Sequence, residues 1–154
     1  MSDQTTPNLH EDHLEEFTPY LMNRIIARYN KGVEDALTDV GVSVAQMRTL
    51  AVLAEGGPRT INELSVLTVI KQSTLSRRLD ALEAAGLIRR EAGEGDNRVR
   101  LIHLTEAGRA AHDRAWPAML EMQDTMLAPL SEEEKAQLNG LLLKVFYKIR
   151  KHNF

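Results

Sequence analysis

Two short helical patterns separated by four residues, the second running straight into a basic hairpin, constrain this chain more than any other feature of its sequence. Thr60-Ile-Asn-Glu63 has the form of a capping box, in which the hydroxyl takes a backbone amide and the carboxylate reaches back. It opens a short helix with Ile61, Leu64 and Leu67 on one side. Residues 68–71 leave room only for a brief connection, because Leu75, Leu79 and Leu82 then follow at i, i+4 and i+7 as one buried stripe. Gly86 stops this second helix, as a glycine in the left-handed conformation does past a helix C-terminus. Segments 87–91 and 98–104 carry β-branched and apolar residues on either side of Ala-Gly-Glu-Gly-Asp-Asn, the pattern of a β-hairpin.

The flanks are helical. Leu14, Phe17, Leu21, Ile25, Tyr29, Val33 and Ala36 recur at steps of three and four, predicting a long amphipathic helix ended by Gly41. Ser43-Val-Ala-Gln46 is a second capping box, and its helix runs to about Glu55, where Gly56-Gly57-Pro58 breaks it. Thr105 caps a helix through Ala107, Ala110, Ala111 and Met119 to about Leu127; Pro117 inside it predicts a kink or restart near Trp116. Ser131-Glu-Glu-Glu134 opens a last helix with Leu138, Leu141, Leu142, Val145, Phe146 and Ile149 in a stripe. The expected fold class is mainly α with a small β-hairpin wing. Residues 43–104 form a winged helix-turn-helix lobe, 11–40 and 106–150 a helical dimerisation region, and 1–10 a flexible terminus. The outer stripes are too large to bury against so small a lobe, and a homodimer is the natural solution.

Composition narrows the function. The chain has 154 residues and a net charge of −3, yet residues 71–100 hold seven basic side chains against five acidic ones, a local +2. No cysteine occurs, which excludes disulfides, thiolate metal sites and cysteine redox sensing. The polar, acidic start has no signal-peptide pattern, and no apolar run approaches the roughly 18 residues of a membrane helix, so the expected location is the cytoplasm without membrane contact. His10 and His13 lie at i and i+3 among Glu11, Asp12 and Glu15, but on an expected mobile terminus, and His103 and His112 lack a nearby ligand pair of clear spacing; no metal and no cofactor is expected. Nucleophile elbow, phosphate loop and metalloprotease helix are all missing from the sequence, which argues against an enzyme.

A helix pair with a basic hairpin is the geometry of a reader of duplex DNA, the second helix fitting the major groove. With Leu75 at zero on a helical wheel, Ser73, Arg77 and Thr74 fall at roughly 160°, 200° and 260°, away from the core. Arg77 can fork onto guanine, Gln72 can pair with adenine, and the hydroxyls of Ser73, Thr74 and Ser76 can donate to phosphate or base. Lys71, Gln72 and Ser73 sit where free amides favour a phosphate, and Arg78 adds charge to the same helix. Taken alone, this helix reads equally well as a solvated face. In the hairpin, Arg98 at the tip can enter a minor groove and Arg100 reaches phosphates from the same side, with Asp96 orienting Arg98. A winged helix used only for protein contacts is the competing reading, and it has no need of Arg77 or Arg98.

Gln72-Ser-Thr-Leu-Ser-Arg77, Leu82-Glu-Ala-Ala-Gly-Leu-Ile-Arg89, Asp96-Asn-Arg98 and Leu104-Thr-Glu-Ala-Gly108 together resemble the ordered signatures of the multiple antibiotic resistance regulator (MarR) family. The resemblance implies a transcriptional regulator, a dimer joined by the first and last helices, a recognition helix at 71–85 and a wing at 87–104. It implies DNA contacts from Ser73, Thr74, Arg77 and Arg98, on a pseudo-palindromic operator. The chain departs from the pattern at Val69, where many relatives have glycine, and at Lys71, where they have an acidic cap. The resemblance also suggests repression released by a small aromatic or phenolic effector between the dimer helices and the DNA lobe. Tyr20, Asn23, Arg24, Met47 and Trp116 are candidate lining residues by position, although, taken singly, packing is the better account of Met47 and Trp116 and solvent of Arg24.

Overall fold

The structure, a computed structural model, describes residues 14–93 and 96–149, and the side chains of 96–99 fall outside the description. In chain order it consists of α1 (Thr18–Ala36), α2 (Val44–Gly56), β1 (Arg59–Thr60), α3 (Ile61–Thr68), α4 (Gln72–Ala84), β2 (Ile88–Gly93), β3 (Asp96–Leu104), α5 (Glu106–Leu127) and α6 (Glu132–Ile149). The expected terminus at 1–10, the His10/His13 cluster and the hairpin tip at residues 94–95 lie outside the described residues.

All three capping boxes form. The amide of Gln46 donates to Ser43 Oγ at 3.2 Å and that of Ser43 to Gln46 Oε1 at 2.9 Å. Thr60 with Glu63 and Ser131 with Glu134 repeat the exchange. Donation to the two glutamates favours their charged form, and both carboxyls are held below the usual carboxylate range. At the end of α4 the amides of Gly86 and Leu87 donate to the carbonyls of Glu83 and Leu82, each at 2.9 Å, while Gly86 takes φ 72°. That is a Schellman motif.

The expectations change in six places. Helix α1 starts at Thr18, later than the stripe from Leu14, because Pro19 suits the first turn and lacks the amide a preceding turn would use. It ends at Ala36, before Gly41: a short 3-10 turn, Thr38–Val40, follows, and Gly41 at φ 75° turns the chain after that. In α3 the buried partners of Ile61 are Leu64 and Thr68, and Leu67 is exposed; the Thr68 hydroxyl donates to the Leu64 carbonyl at 2.6 Å, so its burial leaves no unmade hydrogen bond. No restart occurs at Trp116, since α5 runs as one helix past Pro117. A two-residue strand, β1, pairs antiparallel with β3 and makes the wing a three-stranded sheet of order β1-β3-β2. The hairpin strands are also longer than their apolar segments, with Ile88 opposite Leu104 and a register shift between Ala92 and Gly93.

One core joins the elements. Leu75, Leu79 and Leu82 of α4 are fully buried with Met47, Leu50 and Leu53 of α2, Leu64 of α3, and Ile88 and Ile102 of the sheet. Each such side chain contributes about 1.5–3 kcal/mol by leaving water. Val33 of α1 with Ala111 and Ala115 of α5 extends the core into the outer helices. Beyond it α6 buries no residue, and Leu141, Leu142, Val145, Phe146 and Ile149 stand exposed, as do Leu21, Ile25 and Ile26 of α1.

Two residues carry opposite backbone constraints. Val69 ends α3 at φ 57°, ψ 43°, a left-handed conformation that a β-branched residue adopts only at a cost, while its side chain is 87% exposed and offsets none of it. At Gly108 a Cβ would lie 2.0 Å from the Leu87 carbonyl oxygen. Urea unfolding at fixed protein concentration should therefore show Val69→Gly more stable by about 1 kcal/mol. Gly108→Ala should be destabilised by about 3 kcal/mol, since backbone must move to admit the methyl.

Candidate nucleic-acid interface

The buried leucine stripe fixes which face of α4 is outward. Lys71, Gln72, Ser73, Thr74 and Arg77 are exposed, whereas Ser76 and Arg78 are half-buried at the margins of the stripe. Helices α2, α3, α5 and α6 each present a hydroxyl to the amides of their own first turn, from Ser43, Thr60, Thr105 and Ser131. At the start of α4 stands Lys71, with no side-chain cap, so the opening amides of this helix keep their positive end for another acceptor. Gln72 is less free than its position suggests, because its Nε2 donates to Asn62 Oδ1 and ties the two helices of the motif together.

Arg90 was not singled out in the sequence, yet it braces the wing against α4. Its guanidinium meets Asp80 Oδ1 at 2.7 Å and Glu83 Oε2, and its amide donates to Glu83 Oε1 at 3.1 Å. Burial opposes the charge of Arg90, but the two carboxylates outweigh it and hold the guanidinium protonated. Asp80 and Arg90 are ten residues apart across a helix end and a turn, a spacing with no periodic signature. On the neighbouring strands Glu91 pairs with Arg89, and His103 Nε2 lies 3.1 Å from Glu91 Oε2 without hydrogen-bond geometry. Burial, helped by Arg89, pushes the His103 pKa down. Arg100 is exposed on β3; the side chains of Asp96 and Arg98 lie outside the described residues.

Arg78 parts company with Arg77. It lines a groove with Asn30 and Lys31 of α1 and Arg48 of α2, on the flank of α4, and its Nε is buried without a hydrogen-bond partner.

The five candidate effector residues do not form one site. Met47 has no exposed surface and belongs to the core. Trp116 is half-buried and stacks on His112, with ring centroids 5.2 Å apart and 24° between planes. Arg24 donates to the Tyr20 hydroxyl at 2.8 Å and lies over its ring, and Asn23 is exposed. Of the five, Arg24 alone lines the large open groove of about 1090 Å³ between α1 and α5, whose other walls include Arg28, Tyr29 and Met122. Among the described residues no group of three His, Asp or Glu side chains is placed to hold a metal ion, and no helix is long and apolar enough to cross a membrane.

The arrangement has close counterparts. Residues 40–98 match the model of the MarR family. The chain is 34% identical over 127 residues to the HTH-type transcriptional regulator PecS of Dickeya dadantii, covering 80% of this chain and 76% of that one. A crystal structure of a MarR-family transcriptional regulator from Silicibacter pomeroyi superposes with a TM-score of 0.82 at 42% identity, covering 95% of this chain and 99% of the other. The transcriptional repressor CouR, solved bound to a 23-mer DNA duplex, superposes with a TM-score of 0.79 at 25% identity over 89% of this chain and 97% of its own. With its helix order, three-stranded wing and outward-facing α4, the chain belongs to the MarR family of transcriptional regulators and is not an enzyme.

Proposed function

We propose that this regulator binds pseudo-palindromic double-stranded DNA as a homodimer and represses transcription until a small aromatic or phenolic ligand releases it. The observation that carries the DNA reading is α4 itself. Its leucine stripe is fully buried, its opposite face offers Ser73, Thr74 and Arg77, and its first turn has no side-chain cap. Phosphate at the open helix end would set the register, and Arg77 would read base edges. Arg100 from the wing adds a phosphate contact, and Arg98 is assigned to the minor groove. The DNA-bound relative supports this reading.

The dimer rests on the exposed apolar faces of α1 and α6, which leave Ile25, Ile26, Leu142 and Phe146 in water in a single chain. Patches of this kind mark association surfaces in soluble proteins. A two-fold pair of α4 helices would enter successive major grooves at a separation of about 34–36 Å.

Light scattering at micromolar concentration should give twice the chain mass of 17.3 kDa, and a Leu142→Asp, Phe146→Asp variant should return one chain mass. On an operator obtained by selection from random duplexes, Arg77→Ala should lose about 1–3 kcal/mol and relax base preference. Lys71→Ala and Arg100→Ala should weaken all duplexes alike and lower the salt slope by about one each. An unchanged ranking of operator variants in Arg77→Ala would move base reading to other residues. Absence of any salt-sensitive retardation would favour the protein-adaptor reading instead. A panel of phenolic acids that binds the protein but leaves operator affinity unchanged would remove ligand release from the proposal.

A further inference from the structure

The turn between α3 and α4 carries an apolar surface that the fold does not use. Val66 is 74% exposed and Val69 87% exposed, and neither belongs to the core. The turn closes without their side chains. The amides of Val69 and Ile70 donate to the carbonyls of Val66 and Ser65 at 3.3 and 3.1 Å, and the Ser65 hydroxyl donates to the Ile70 carbonyl at 2.8 Å. Glycine would take the left-handed backbone at residue 69 without strain, whereas valine there costs stability and recovers none of it by packing. Strain that no internal contact offsets points to a contact outside the chain.

The position of the patch favours DNA as that contact. Val69 stands two residues before Lys71, a span of at most about 7 Å, so a phosphate seated on the open amides of α4 brings the adjoining nucleotides within reach of the valine methyls. On α3, Asn62 and Val66 lie about 160° and 200° from buried Leu64, and Asn62 accepts a hydrogen bond from Gln72 in the first turn of α4. The outward face of α3 and the opening of α4 thus form one continuous surface, polar at Lys71, Gln72 and Ser73 and apolar at Val66 and Val69. In the major groove the apolar feature is the C5-methyl group of thymine. We infer that Val69 is a specificity-determining residue, which packs its methyls on a thymine C5-methyl beside the bases read by Arg77, with Val66 extending the apolar surface. This inference rests on the DNA reading of α4 given above and adds to it a base contact that involves no hydrogen bond.

The test is a uracil scan of the selected operator, in which each symmetric pair of thymines is replaced in turn so that only the C5-methyl groups are lost. Retardation is measured at several salt concentrations with the full chain as wild type, Val69→Gly and Val69→Ala. At one pair of positions uracil should weaken wild type about fourfold per half-site, the change expected when one methyl group loses its apolar contact. Both variants should bind the thymine operator more weakly by a similar factor and be indifferent to uracil at that pair, with uracil penalties elsewhere as in wild type. The salt slope should not change, because an apolar contact releases no counterions; this separates Val69 from Lys71. Val69→Gly should at the same time unfold at a higher urea concentration than wild type, so its lost affinity cannot be a loss of folded protein. Equal uracil penalties in wild type and both variants at every thymine would overturn the inference and leave the DNA reading standing. Weaker binding of the variants with a lower salt slope would also overturn it, and would assign residue 69 to phosphate positioning. Unchanged operator affinity in both variants would overturn it in favour of a protein partner for the patch. Absence of retardation by wild type would remove the DNA reading itself, and this inference with it.

Discussion

The joint at Gly86–Leu87 and Thr105–Gly108 is the contact on which the rest of the lobe depends. Leu87 closes the end of α4 through its amide and accepts the Thr105 amide at 3.1 Å through its carbonyl, while the Thr105 hydroxyl donates to the Gly86 carbonyl at 2.6 Å. One short segment thus terminates the recognition helix, starts the wing and anchors the first turn of α5. Gly108 is required because α5 approaches this backbone more closely than a Cβ permits. Since the joint is made of backbone groups and one hydroxyl, a side-chain substitution elsewhere cannot readily shift it. Helix α4, the sheet and α5 are therefore joined through one segment.

The ion pairs of the lobe work at the next level. Arg90 sits against two carboxylates of α4 and is largely shielded by them, so its value lies in fixing the angle between wing and helix more than in net stability. Lys31 with Asp35 and Lys135 with Glu132 are exposed pairs within single helices and contribute little beyond local helix support. Lys71 and Arg77 stand exposed on the outward row of α4, and Arg78 lies on its flank. A protein of net charge −3 can thereby present a cationic face where it needs one.

Most of the fold was legible because its signals are local. Capping boxes at Ser43, Thr60 and Ser131, the stripe at Leu75, Leu79 and Leu82, and the glycine stop at Gly86 each bring their own residues together within a turn or two of helix. What escaped depends on contacts between distant segments. Strand β1 is two residues long, too short for a periodic signal, and exists only because β3 offers a free edge. Leu67 looked like a core residue because an apolar side chain fitted the spacing; Thr68 took the place by turning its hydroxyl onto the Leu64 carbonyl. Pro117 suggested a break, but loss of one ladder bond is tolerated in a helix held elsewhere by Ala111 and Ala115 in the core. For the site, the exposed row of α4 followed from the wheel. The wheel also sets Arg78 about 100° from Arg77, but the groove that Arg78 lines did not follow from it, since that required the position of α1.

The unburied faces of α1 and α6 connect this geometry to regulation. In the proposed dimer these helices fix how far apart two α4 helices stand, while the core residues Val33, Ala111 and Ala115 tie α1 and α5 to the lobe. Close approach at Gly32, where a Cβ would lie 2.8 Å from Met122 Sδ, makes the α1–α5 contact tight toward the C-terminal end of α1. Packed helices of this kind respond to a wedge by a small rigid shift, because close-packed interiors do not deform continuously. A ligand can use such a shift only to the extent that it binds one arrangement better than the other, and typical couplings are about 1–3 kcal/mol.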